Sequence, residues 1–108
     1  MVPNSRSVIL IEFNELTPSL MDKFMAAGHL PHFKLFHDEA HVYRTDAEEE
    51  GENLNPWIQW ITVHTGLSAS EHGITRLSDG HTLQTKAVWD LLGDAGFRVW
   101  ICGSMNAR

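Results

Sequence analysis

A chain of 108 residues, 43% of them hydrophobic, can build one globular core but is too short for two domains. Its formal net charge of −6 argues against nucleic acid or an anionic membrane as a partner, because both require a basic surface. The apolar run before Glu12 is too short for a signal-peptide core or a membrane span. We therefore expect a cytoplasmic protein with no nucleic-acid partner and no membrane partner.

The first predicted elements are a strand and two helices. Residues 7–13 are almost continuously apolar, which is typical of a strand buried on both faces of a parallel sheet. Thr17-Pro18 then favours a helix start, and apolar residues recur at helical spacing until Gly28. Pro31 opens a second, shorter helical segment.

The middle of the chain combines a β-prone segment, an acidic loop and a third helix. Residues 41–45 predict a second strand, and residues 46–53 carry five acids, which indicates a solvated loop. Asn55 caps and Pro56 begins a helix through about His64, ended by Gly66.

The last third has the clearest amphipathic pattern in the sequence. Its apolar residues are Leu83, Ala87, Val88, Leu91, Leu92 and Ala95. Gly96 ends this predicted helix, and residues 97–102 predict a third strand containing Trp100 and Cys102. We expect all four tryptophans to pack in the core. Strands alternating with helices indicate an α/β fold, and a three-stranded sheet with two open edges indicates an incomplete domain.

Several short motifs accompany this pattern, namely Gly28-His-Leu-Pro-His-Phe33, Thr65-Gly66 and Glu71-His72-Gly73-Ile74. Together with the apolar run that leads into Asn14-Glu15, they resemble the opening of an alkaline-phosphatase-superfamily hydrolase of the phosphodiesterase/nucleotide pyrophosphatase or sulfatase-like type. The resemblance implies a three-layer α/β/α fold with a mostly parallel sheet. Residues 1–108 are then expected to form the N-terminal portion of one such domain, incomplete in this chain.

The resemblance also implies a metal-dependent reaction. Its substrate is a small-molecule phosphate or sulfate ester, and a divalent metal (zinc, or calcium or manganese) polarises the ester oxygen. The family's first metal ligand follows the first strand, which here places Asn14 and Glu15 in that role. An asparagine oxygen brings no charge, so Glu15 or Glu12 has to supply it. Alternatively, Asn14 and Glu15 simply begin a turn and cap the helix at Thr17.

The family's nucleophile opens the helix that here begins near Asn55. No Ser, Thr, Tyr or Cys occurs between Asp46 and Trp60, so the candidate nucleophiles are Thr45 upstream and Thr62 inside the helix. Asn55 itself is a candidate ligand-binding residue, because the N–H groups of a helix start favour an anion. In an α/β sheet, four places are expected at one edge beyond the strand ends, namely Asn14-Glu15, Thr45-Asp46, Gly103-Ser104 and the helix start at Asn55.

Three functional hypotheses follow from the sequence. The first is the N-terminal fragment of a phosphate- or sulfate-ester hydrolase, inactive as this chain alone. The second is a non-catalytic relative that binds an anionic ligand, and the third is a small stand-alone α/β interaction domain. In each of them His72 is expected to hydrogen-bond backbone within its turn instead of acting as a general base.

Overall fold

The structure, a computed structural model, describes residues 7–107. The chain divides into two compact units, with the boundary between Ala40 and His41. Helix accounts for 47% of the described residues, and no strand occurs among them. No helix in this part of the chain has both the length and the apolar character needed to cross a bilayer.

The first unit contains helices α1 (Pro18–Ala26) and α2 (Pro31–Glu39), which pack against each other. Both begin with the predicted proline, whose fixed φ suits the first helical position and whose missing N–H needs no partner there. α1 ends where predicted, because Gly28 adopts a φ of +77° in the connecting turn. Few side chains of these two helices are buried: Met25 is the buried residue of α1, and α2 has none.

The second unit contains helices α3 (Pro56–Thr65), α4 (Ala69–His72) and α5 (Val88–Asp94). Two 3₁₀ turns, Gly51–Leu54 and Asp79–Thr82, precede α3 and follow α4. The predicted bounds of α3 are confirmed: Pro56 opens the helix, and Gly66 ends it with a φ of +74°.

The core of the second unit is small. Ile61 of α3, Ile74 and Leu83 form a cluster in which each is at most 2% exposed. Ala69 and Ala87 are also buried. The core therefore lies beneath the α3–α4 connection and positions the motif residues of that connection.

The predicted three-layer α/β/α fold is wrong for this structure. Residues 7–13, 41–45 and 97–102 form no strand, and their apolar side chains are exposed, up to 88% for Val8 and 85% for Trp100. A strand exists only through hydrogen bonds to a neighbouring strand, so a sequence with the right composition stays irregular without one. Since no sheet forms, the expected meeting of site residues at a sheet edge has no basis.

The predicted burial of residues 97–102 in a third strand is wrong as well. Trp100 and Cys102 are exposed, although the apolar run around them predicts burial. The remaining tryptophans, Trp57, Trp60 and Trp89, are half-buried in the second unit. The prediction that all four tryptophans pack in the core is therefore wrong for Trp100.

The last helix is shorter than its sequence pattern predicts. It begins at Val88, because the Asp90 carboxylate accepts the Ala87 N–H at 2.9 Å and caps the helix there. Leu83 and Ala87 precede the helix and are buried, whereas Leu91 is exposed. The buried part of the predicted amphipathic face thus lies ahead of the helix.

Candidate functional site

The Thr65-Gly66 motif forms the end of α3. The Thr65 hydroxyl donates to the Ile61 carbonyl at 2.7 Å and accepts the Leu67 N–H at 3.2 Å. Gly66 donates its N–H to the Thr62 carbonyl at 2.7 Å in a left-handed conformation that a side chain rarely adopts. The motif therefore fixes the direction in which the chain leaves the helix.

Glu71 caps the start of the next helix through Ser68. The Glu71 carboxylate accepts the Ser68 N–H at 2.8 Å and the Ser68 hydroxyl at 2.7 Å. These two hydrogen bonds hold the pKa of Glu71 below its ordinary value. Glu71 of the Glu-His-Gly motif is thus a capping residue.

His72 is buried between a backbone N–H and a hydroxyl. Its Nδ1 accepts the Ile74 N–H at 3.0 Å, and its Nε2 lies 3.3 Å from the Thr62 hydroxyl oxygen. Because Nδ1 is an acceptor, the neutral ring carries its proton on Nε2 and donates it to Thr62. Burial lowers the pKa of His72, opposed by the charges of Glu49 and Glu71. The predicted backbone hydrogen bond in the turn is present.

Glu49 links the acidic segment to the same turn. Its carboxylate accepts the Ala69 N–H at 2.8 Å and the Asn53 side-chain N–H at 3.0 Å. The acidic segment, residues 46–53, is expected to be a solvated loop. The Glu49 carboxylate nevertheless accepts a hydrogen bond from the first residue of α4. Twenty residues separate Glu49 from Ala69, so no local spacing in the sequence indicates the contact.

The two candidate nucleophiles have different surroundings. Thr62 is half-buried and receives the His72 hydrogen bond described above. Thr45 is exposed in an extended segment without regular secondary structure. In this arrangement His72 offers Thr62 a proton and does not remove one.

Asn55 is engaged within its own helix start. Its side-chain N–H donates to the Glu52 carbonyl at 2.8 Å, and its backbone carbonyl accepts the N–H groups of Ile58 and Gln59. The amide thus joins the 3₁₀ turn to α3. The acidic composition of the preceding loop opposes an incoming anion by charge repulsion.

Asn14 and Glu15 lie exposed in the first unit, whereas the other three candidate site residues belong to the second. Glu15 adopts a φ of +56°, and its carbonyl accepts the Thr17 hydroxyl at 3.3 Å ahead of α1. This geometry corresponds to the turn in the alternative interpretation, whereas no side-chain hydrogen bond caps α1 at Thr17. Two oxygen donors are fewer than a divalent ion requires, and residues 7–107 contain no group of three or more suitable side chains. These residues by themselves do not fit a complete metal site.

Sequence reasoning missed a second histidine–hydroxyl pair. His64, in the last turn of α3, places Nε2 3.3 Å from the hydroxyl oxygen of Ser104, forty residues further along the chain. Two tryptophan rings flank the imidazole, Trp60 in a stacked arrangement and Trp89 at an angle. Only the position of Gly103-Ser104 after an apolar run marks this place in the sequence.

Comparison of the chain with protein-family models, with curated proteins and with solved structures gives no match. The functional argument therefore depends on the residues and on their geometry.

Proposed function

We propose that the chain is the N-terminal portion of a metal-dependent hydrolase of small-molecule phosphate or sulfate esters, acting in the cytoplasm. The observation that carries the proposal is the turn between α3 and α4. Gly66 and Gly73 both have positive φ, and His72 bonds the backbone of Ile74. The residues of the Thr65-Gly66 and Glu71-His72-Gly73-Ile74 motifs have defined structural tasks there, and these tasks are the support for the proposal.

In the proposed hydrolase this turn acts as a positioning element. By fixing the end of α3 it fixes the direction of the helix, and with it the position of the candidate ligand-binding residue Asn55 at the helix start. Thr62 and Thr45 remain the candidate nucleophiles. Asn14 and Glu15 are proposed to contribute two oxygens to a divalent metal, zinc or calcium or manganese, whose other ligands come from elsewhere. When bound, that metal would polarise the ester oxygen.

The exposed apolar segments also support a larger domain. Four consecutive residues, Val8 to Ile11, are each at least 66% exposed, and Trp100 is 85% exposed. Such contiguous apolar surface is unusual on a self-sufficient monomer, because burying it against other polypeptide is favourable. Additional polypeptide of the same protein is the proposed cover.

One observation favours the non-catalytic relative. The helix start lacks a hydroxyl, and Thr62 receives a hydrogen bond from a histidine whose other nitrogen is occupied by the Ile74 N–H. A relative that binds an anionic ligand without cleaving it would have the same framework. Metal content and turnover together separate the two functions.

The test compares the product of the complete reading frame with residues 1–108 alone, using nitrophenyl phosphate and nitrophenyl sulfate. We expect the complete product to show turnover that a chelator abolishes and the short chain to show none. If residues 1–108 alone show turnover and a chelator abolishes it, the proposal that the other metal ligands come from elsewhere is contradicted. Bound metal without turnover would favour the non-catalytic relative, and absence of both would refute the proposal.

Substitutions in the complete product then identify the nucleophile. Thr62→Ala is expected to abolish turnover if Thr62 attacks, whereas Thr62→Ser retains a hydroxyl and should retain part of the activity. Val63→Ala, at an exposed neighbouring position, serves as the control. Thr45→Ala tests the other candidate in the same assay.

A further inference from the structure

The pair formed by His64 and Ser104 lies outside the turn to which the proposed hydrolase function is assigned. His64 is 3% exposed, and its imidazole is held between Trp60, with ring centroids 5.9 Å apart, and Trp89, with ring centroids 4.6 Å apart. Its Nε2 faces the Ser104 hydroxyl at 3.3 Å. The two indole rings fix the orientation of the imidazole and shield it from water.

Ser104 borders open space. It lines a groove of about 360 Å³ together with Ile101, Gly103 and Ala107. The other three lining residues have no polar side chain, so the groove suits a small apolar group next to the hydroxyl. Gly103, with a φ of +66°, turns the chain immediately before the serine. The serine therefore has an imidazole and a groove as neighbours.

A purely structural role for the pair would be to tie residues 103–107 to α3. Asn106 already does this, since its side-chain N–H donates to the Trp57 carbonyl at 3.0 Å and to the Arg76 carbonyl at 3.2 Å. Gly80 is packed tightly against the same residue, because a Cβ there would lie 2.6 Å from the Asn106 carbonyl oxygen. The segment is anchored without the hydroxyl–imidazole bond.

We propose that Ser104 is a nucleophile activated by His64, and that the groove receives the short acyl chain of a carboxylic ester. The Ser104 hydroxyl oxygen attacks the ester carbonyl carbon while His64 Nε2 takes the hydroxyl proton. The bond to the alcohol oxygen then breaks, and the imidazolium returns the proton to that leaving oxygen. Water cleaves the acyl-serine by the same proton path, releasing the acid and restoring the hydroxyl. The reaction needs no metal and differs in residue and substrate from the proposed phosphate- or sulfate-ester hydrolysis.

The test is covalent labelling of the full chain with a short alkyl fluorophosphonate, located by peptide mass spectrometry. We expect one adduct, on Ser104, and none in Ser104→Ala. His64→Gln should slow labelling by about 10²-fold or more, the effect typical of a lost general base. Ser70→Ala is the matched control, because Ser70 is an exposed serine bonded to the Ser68 hydroxyl and not to an imidazole.

Nitrophenyl acetate should give a burst of about one nitrophenolate per chain that Ser104→Ala lacks.

His64 is buried, so His64→Gln could lose its fold, and circular dichroism must accompany each variant. The pH dependence of labelling in the unsubstituted chain supplies a second readout. Its rate should increase with pH, because only a neutral imidazole can accept the hydroxyl proton. A rate independent of pH, labelling spread over other serines, or a folded chain without an adduct would each refute the proposal. Because a chelator does not affect this readout, its failure is distinguishable from failure of the metal-dependent hydrolase assignment.

Discussion

The imidazole of His72 shows how one side chain holds the turn between α3 and α4. It accepts the Ile74 N–H on one nitrogen and contacts the Thr62 hydroxyl with the other. The bond from the Ile74 N–H requires the neutral ring, because a charged imidazole has no acceptor for the backbone N–H. Protonation therefore breaks a bond of the turn and leaves a buried N–H without its acceptor.

The stability of the second unit should depend on pH through His72. Burial lowers its pKa from an ordinary value of 6.5, so the native state binds fewer protons than the unfolded state as the pH falls through that value. The free energy of unfolding is then fully retained above this pH and decreases below it, until the lowered native pKa is reached. Denaturant titrations at about pH 7.5 and about pH 5.5 measure the decrease.

His72→Asn is the informative variant for this prediction. An asparagine oxygen can accept the Ile74 N–H but does not titrate, so this part of the pH dependence should disappear. His81→Asn, at an exposed histidine, should leave the dependence unchanged. A decrease of the same size in His72→Asn and in the unsubstituted chain would show that another group is responsible.

A matched pair of glycine substitutions compares a helix end with a helix interior in the second unit. Gly66 has a φ of +74°, so Gly66→Ala should destabilise by about 1–2 kcal/mol although a Cβ there meets no neighbour. Gly93, inside α5, has no positive φ and equally free surroundings, so Gly93→Ala should stabilise by about 0.5–1 kcal/mol. Thermal or denaturant unfolding measures both. Effects of the same sign would contradict the distinction between the two conformations.

The buried face of α3 carries most of the packing in the second unit. Ile61 is 1% exposed and forms the core with Ile74 and Leu83. Ile61→Ala should therefore cost about 2–4 kcal/mol through lost burial and a residual cavity. Val63→Ala, on the exposed face of the same helix, should change stability by less than about 0.5 kcal/mol. Similar losses for the two variants would mean that α3 packs on another face.

For the whole molecule, hydrogen exchange tests the absence of a sheet. In residues 8–13 and 97–101 no strand ladder forms, so their amides should exchange much faster than those of α3, which are protected by helical hydrogen bonds. Mass spectrometry of short peptides resolves these segments. Protection of residues 8–13 comparable to that of α3 would show that the segment pairs with another strand in solution.

The helix ends could be predicted because their causes are local. Pro18, Pro31 and Pro56 each open a helix, since proline suits the first helical position in any context. Gly66 ends one for an equally local reason. Likewise, the backbone bond of His72 spans only two residues, and the motif containing it predicts the bond.

The rest of the candidate site could not be predicted, because its contacts join distant residues. Glu49 accepts the N–H of Ala69, and Ser104 lies beside His64 forty residues away. Nothing in the spacing of these residues indicates a contact. The pattern at Leu83 and Ala87 predicts burial correctly but assigns it to a helix, since apolar spacing alone does not exclude another backbone conformation.

By itself the sequence determined where α1, α2 and α3 begin, where α1 and α3 end, and the backbone bond of His72 in the α3–α4 turn, since proline, glycine and a short motif act within a few residues. Tertiary structure alone decided that the apolar runs at residues 7–13 and 97–102 form no sheet, because strand hydrogen bonds require a partner that composition cannot supply. It also decided which hydroxyl meets which imidazole. That pairing depends on chain segments far apart in sequence, and it is the basis of the chemistry proposed for Ser104.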